Sequence, residues 1–279
     1  MDTLSSAAPL SSAPSVPPSA ARARRAVHPA GWSVLAIGAL LLAWQGVTAF
    51  GWVPALFLPP PSAVAAQAWR VATDGFMDAT LWQHTAASLG RVALALVLAA
   101  VVAVPLGAWM GLSPRARAVF DPLVEFYRPV PPLAYLPLIV IWCGIGELSK
   151  VLLIALAIFA PLVIATATGV ARTPEARVRV ARSFGATRGQ VLRHIVLPNA
   201  LPDLLTGLRV GLGVGWSTLV AAELVAATRG LGFMVQSAAQ FLHTDIVVVG
   251  ILVIAGVAAA MEALLRWAQR RWVPWVGRT

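Results

Sequence analysis

The residues that could do chemistry are few and scattered. Four histidines, His28, His84, His194 and His243, stand far apart along the 279 residues, and no His-Glu-x-x-His run occurs. Metal-assisted hydrolysis wants such ligands one helical turn apart, so neither a metal centre nor a catalytic residue is expected, and no cofactor. The one lysine, Lys150, follows Glu147-Leu148-Ser149 rather than the glycine-rich run of a phosphate loop, so the chain performs no nucleotide chemistry itself. Cys143 is the only cysteine and ends the apolar run Leu138–Cys143, so it reads as a packed thiol with no internal disulfide. Glu223 is different, because it lies inside the apolar stretch Leu204–Ala227. An acid at that depth either borders a solute path or partners a buried group. Arg209 shares the stretch but stands 14 residues away. That is about 21 Å along a helix, so the two do not pair.

The elements that must position these side chains are set by composition. Hydrophobic residues make up 59% and charged residues 11% of the chain, and mean hydropathy is +0.80. Soluble domains carry about 25% charged residues. This chain cannot cover an aqueous exterior, which excludes an ordinary soluble enzyme. Residues 1–30, rich in Pro and Ser and closed by Arg22-Ala23-Arg24-Arg25, are expected to be a disordered tail. Gly31–Phe50 is read as a retained first span, with a cleaved leader as the competing reading. Five apolar segments follow, near Leu89–Leu112, Leu133–Ile145, Val151–Val170, Leu204–Ala227 and Ile246–Trp267. An all-α membrane protein with six transmembrane helices results, its termini on one side.

Basic residues assign that side. Fifteen of the 21 fall in the tail, the second and fourth loops and the C-terminal end, whereas only Arg70, Lys150 and Arg229 fall opposite. Arg91, Arg128 and Arg209 lie near span ends and stay unassigned. Both termini are therefore expected in the cytoplasm. The formal net charge of +10 reflects orientation and calls for no nucleic acid.

Two local patterns are unusual. The third span has 13 residues, about 20 Å of helix, and follows Arg128-Pro129-Val130-Pro131-Pro132. Either these prolines run extended against a water-filled cavity at membrane depth, or the helix begins outside the membrane after an interfacial helix over 118–127. In the fifth span, Gly207, Gly211 and Gly215 share one helical face, which would let a second backbone approach closely. The fourth loop, Thr173–Pro198, has a helix start at Thr173-Pro174-Glu175 and apolar residues at helical spacing. Gly185 divides it into two short amphipathic helices, and Pro198 should stop the second. Periodicity alone leaves a partner-docking surface and a positive-inside anchor equally open.

A resemblance bears on that choice. Gly185, then nine intervening residues, then Ile195-Val196-Leu197-Pro198, resembles the coupling loop of ABC importer permeases, written EAA, three residues, G, nine residues, I-x-L-P. The similarity runs from about Leu81 to Arg271. Arg128–Pro137, Gly213–Leu224 and Gly230–Gln236 are similar to the subgroup handling nitrate, sulfonates and taurine. One departure is plain: Arg179 and Val180 stand where that motif has Glu-Ala, and only Ala181 is kept.

The resemblance implies a type I importer permease fold over residues 81–271, after a first helix and periplasmic connection over 31–80 and before a cytoplasmic tail over 272–279. It implies a multi-pass protein of the bacterial inner membrane, without enzymatic activity, importing taurine or a related sulfonate. Implied partners are a cytoplasmic ATP-binding subunit, a periplasmic substrate-binding protein, a second permease copy and membrane lipid. Docking to the ATPase would use Arg182, Ser183, Phe184, Gly185, Ala186, Thr187, Arg188 and Gln190. Trp216, Ser217, Thr218, Glu223 and Gln236 would give passing contacts along the path, although a carboxylate repels an anionic sulfonate. An ion-gradient-driven transporter would want intramembrane acids and internal repeats. Neither the middles of spans one, two, four and six nor the overall pattern supplies them.

Overall fold

The protein, seen in a computed structural model, is described for residues 29–273. The tails expected over residues 1–30 and 272–279 fall almost wholly outside them. The chain divides into a unit ending at Ala43 and a second from Trp44 onward. Among described residues the first consists of most of helix α1 (Pro29–Ala49), whose Trp32, Leu35, Leu40 and Leu42 are exposed.

The second unit is built from helices because its long apolar runs contain no break stronger than an isolated proline. They are α2 (Pro61–Thr73), α3 (Leu81–Leu112), α4 (Pro114–Tyr127), α5 (Leu136–Cys143) and α6 (Glu147–Ala171). The short α7 (Glu175–Ser183) and α8 (Arg188–Val191) lead into α9 (Leu197–Ala226), α10 (Leu231–Gln240) and α11 (Thr244–Trp272). Among the described residues, four runs are long and apolar enough to cross a membrane: α3, α6, Arg188–Val225 and α11. Two shorter apolar helices, Val34–Ala49 and Pro132–Cys143, occupy the expected first and third positions. The helices overrun the apolar stretches at most ends. For α3 the cause is a capping box, in which the Thr80 hydroxyl accepts from Gln83 N–H and Gln83 accepts from Thr80 N–H.

α6 is the central helix. Ile154, Ile158, Leu162 and Val163 are fully buried among residues of α3, α4 and α9, and Leu153 against α5 and α9. Small residues permit that approach on both sides. A Cβ on Gly107 of α3 would lie 2.7 Å from Thr166 Cβ, and one on Gly211 of α9 would lie 2.9 Å from Ile158 Cγ2. Gly207 and Gly215 face Ala165 and Ile158 in the same stripe. Conversely, Leu94, Val97 and Val101 of α3 and Ile251, Leu252 and Leu264 of α11 point outward. That arrangement suits hydrocarbon rather than water.

The third crossing keeps one part of the sequence expectations, a proline segment bordering a cavity, and departs from them in its path. α4 does not lie apart as an interfacial helix but packs back along α3 and α6. Phe120 meets Trp109 at 5.3 Å between ring centroids, and Val124 is buried with Met110, Leu162 and Val163. At the top of α4 the Tyr127 hydroxyl donates to the Leu156 carbonyl at 2.9 Å. Leu156 is about 14 Å into α6 by helical rise. The chain turns there at Arg128–Val130, where extended prolines were expected, makes one 3-10 turn over Pro132–Tyr135, and resumes as α5. Eight helical residues of α5 are too short to cross alone; α4 supplies the other half, so one crossing is shared by two half-helices. Proline causes the break, having no N–H to continue a helical ladder.

A second correction concerns Pro198. The helix does not stop there. Leu192–Val196 form a π turn and α9 continues through Pro198. The wider turn shifts the hydrogen-bond register just before the residue that has no N–H, so the chain stays helical.

Candidate functional site

The segment between α6 and α9 begins when α6 ends at Ala171 and Pro174 opens α7. α7 closes at Gly185, whose φ of 83° is left-handed and suits a residue without Cβ. The Ala186 N–H then reaches back to the Ala181 carbonyl at 3.1 Å. Thr187 and Gln190 form a capping box that starts α8 at once. Underneath, Val170, Val191, Val196 and Ala200 are buried together, with Val178, Ala181, Ala186 and Leu192 half-buried around them. The pair of short helices is thus pinned to the ends of α6 and α9.

Of the eight residues expected to meet an ATPase, Ala186 is half-buried, while Arg182, Ser183, Phe184, Gly185, Thr187, Arg188 and Gln190 are exposed. Phe184 is 88% exposed, the most of any large apolar side chain described. It borders a shallow hollow with Ala181, Ala186, Gln190, His194 and Ile195. Arg179, which replaces the glutamate of the coupling motif, pairs with Glu175 one turn earlier at 2.8 Å. Both are exposed, so the pair contributes little to stability.

The residues expected along a path do not converge. Trp216 is buried in the α3–α6–α9 core. Ser217 is exposed and donates to the Gly213 carbonyl at 3.0 Å, while Thr218 donates to the Val214 carbonyl at 2.9 Å. Gln236 is half-buried on α10. Glu223 is wholly buried and saturated with donors. Its Oε1 accepts from Arg91 at 2.6 Å and Ser88 at 2.7 Å, and its Oε2 from Gly232 N–H at 2.8 Å. Sequence reasoning missed Arg91 as its partner, because the two are 132 residues apart. The available signal was an arginine near a span end at the level of an intramembrane acid.

Around that pair a larger network ties four elements. Arg91 also donates to the Arg229 carbonyl at 2.7 Å and, through Nε and Nη2, to both oxygens of Glu147. Lys150, 3% exposed, donates to Glu147 at 2.8 Å. His84 donates from Nε2 to the Phe76 carbonyl and accepts from Gly230 N–H on Nδ1. Gly230, at φ 140°, wraps so closely that a Cβ there would lie 2.5 Å from Glu223 Oε1. Two cations face two carboxylates; Arg91, Lys150 and Glu223 are buried while Glu147 is exposed at the rim, and each charged atom has a partner, which makes burial of the first three tolerable.

A cavity of about 460 Å³ lies elsewhere, between the α4–α5 break, the middle of α6 and α9. Tyr127, Arg128, Tyr135, Pro161 and Val210 are among its lining residues, and none of the five expected path residues is. Among the described residues no group of three His, Cys, Asp or Glu could hold a metal ion.

Comparison with known proteins supplies the family. Residues 103–274 match the family described as binding-protein-dependent transport system inner membrane component. The taurine transport system permease protein TauC of Escherichia coli is 58% identical over 88% of this chain and 90% of its own length. The putative aliphatic sulfonates transport permease SsuC of the same organism is 33% identical over 85% of this chain and 88% of that protein. The bicarbonate transport system permease protein CmpB of Synechococcus elongatus is 32% identical, over 71% of this chain and 72% of that protein. A chain of the MetNI methionine ABC transporter, in an inward-facing conformation, superposes with a TM-score of 0.57 at 19% identity, covering 69% of this chain and 94% of its own. That likeness concerns the fold. The helical fold is thus shared with that transporter chain, and the present chain belongs to the family of inner membrane components of binding-protein-dependent transport systems.

Proposed function

We propose that this chain is the permease subunit of an ATP-driven importer carrying taurine or a closely related sulfonate into the cytoplasm. The observation that carries the substrate is the 58% identity to a taurine permease across nearly the whole of both chains. The coupling role rests on the α7–α8 pair. Phe184 stands exposed at a glycine turn, on a base packed against α6 and α9. ATP-driven closure of two cytoplasmic subunits would push on Phe184–Gln190 and tilt α6 and α9 as packed bodies. A periplasmic binding protein would deliver substrate, and a second copy of the chain would complete the pathway, with lipid around both.

The chain itself contributes no catalytic group; its role is mechanical and selective. Aliphatic sulfonates and bicarbonate-like anions form the second reading, favoured by relatives at 33% and 32% identity. Uptake of labelled taurine into cells with and without the gene, challenged by unlabelled alkanesulfonates and nitrate, separates these. ATP-dependent taurine uptake that disappears with the chain is expected. Uptake unaffected by its loss, or driven by a proton gradient with ATP hydrolysis dispensable, would remove the proposal.

A further inference from the structure

The cavity at the α4–α5 break has features that packing alone does not require. Its volume of about 460 Å³ falls in the ~300–1,000 Å³ range of small-molecule sites. It lies half-way along α6, where the backbone leaves the helical path at Arg128–Val130. Non-helical backbone at such depth belongs beside protein or a polar cavity. Arg128 lines it, and its only ion-pair partner among the described residues is Glu125 of the preceding turn at 3.5 Å. The Arg128 side chain is more than half exposed and only loosely paired, so at the edge of this apolar wall it is free to meet an anion that arrives there.

The opposite wall offers the complement. Pro161 sits inside α6 and has no N–H to give to the Ala157 carbonyl one turn earlier. Ala157 and Pro161 both line the cavity. Tyr127 and Tyr135 flank the space with ring centroids 6.0 Å apart and planes 30° apart. Their hydroxyls are already committed to each other and to the Leu156 carbonyl, which leaves ring faces as the available surface. Aromatic faces and a spare carbonyl suit an ammonium. An arginine fork suits a tetrahedral oxyanion.

We propose that this cavity is a transient seat for a small aminoalkanesulfonate in transit, with Arg128 taking the sulfonate and the Ala157 carbonyl, between Tyr127 and Tyr135, taking the ammonium. The inference rests on the importer reading above and narrows its substrate class to zwitterions. It explains how a permease can favour an amino-sulfonate over a plain sulfonate without a deep pocket.

The test uses the full chain reconstituted with its ATP-binding and substrate-binding partners in proteoliposomes, and compares labelled taurine with labelled ethanesulfonate, which lacks the ammonium. Arg128→Gln is expected to lower uptake of both about tenfold, the scale of one lost charge-assisted contact, with binding-protein-stimulated ATP turnover kept. Pro161→Ala restores the backbone N–H, and should reduce taurine uptake several-fold more than ethanesulfonate uptake. A third measurement is independent of Arg128 and of folding defects in its variants. In Val130→Cys with Cys143→Ala, taurine should slow maleimide labelling of Cys at the cavity wall, and ethanesulfonate should slow it less. Wild-type taurine uptake with an indifferent Arg128→Gln, or labelling untouched by taurine, overturns the seat while the importer stands. Equal loss of both solutes in Pro161→Ala overturns the ammonium assignment. No taurine uptake by the wild type would overturn the importer reading itself.

Discussion

Glu223 illustrates what a single residue can and cannot announce. Its type and place in an apolar stretch marked it as exceptional, and two roles were open, a solute contact or a buried partner. The structure gives it three donors and no exposure. Glu223→Gln would keep the shape and remove the charge opposite Arg91. Breaking a buried pair from one side costs on the order of 3 kcal/mol, so the variant is expected to unfold several degrees lower in detergent. A path role would instead leave stability unchanged and lower transport, so measuring both separates them. Gly230→Ala should be at least as damaging, since its Cβ would meet the same carboxylate; a wild-type melting temperature for that variant would contradict the packing. Arg91, Arg128 and Arg209 could not be assigned to a side from the sequence because each lies near a span end, and of the three only Arg91 is buried in the structure. One is in the Glu223 network, one faces the cavity, and one approaches Glu262 at 3.7 Å.

Among the elements, the α7–α8 pair was the most legible, because capping residues, glycine and apolar spacing are all local signals. Phe184→Asp places a charge on the exposed tip, and Gly185→Val forces a β-branched residue into a left-handed turn at φ 83°. Each should leave the protein inserted while uncoupling ATP turnover from uptake by about tenfold or more, as loss of a hot-spot contact would. Retained, transport-linked ATP turnover in the double variant would show the docking assignment to be wrong. The α9 glycine stripe makes a different prediction. Gly211→Leu should drive α6 and α9 apart, at about 1–3 kcal/mol for overpacking, and lower the yield of folded protein; Gly213→Ala, whose position is open, should not. Neither the π turn before Pro198 nor the composite third crossing was legible. In both, a proline has no single local outcome: it can end a helix, bend it, or be absorbed by a register shift, and the packing around it decides which.

For the molecule as a whole, orientation is the open physical question that charge answers. With Cys143→Ala as background, Arg177→Cys is expected to react with an impermeant maleimide only after the inner membrane is opened. Asp74→Cys should react from outside in intact spheroplasts. The reverse pattern would overturn both the positive-inside reading and the coupling role. Low charge content, six apolar segments and a local coupling motif determined class, span order and family resemblance from the sequence alone, because they depend on transfer free energy and short-range spacing. Tertiary structure alone decided that Arg91 meets Glu223, that α4 completes the third crossing, and that a cavity opens at its break. Those outcomes depend on which helices pack together, a long-range choice that no window of neighbouring residues encodes.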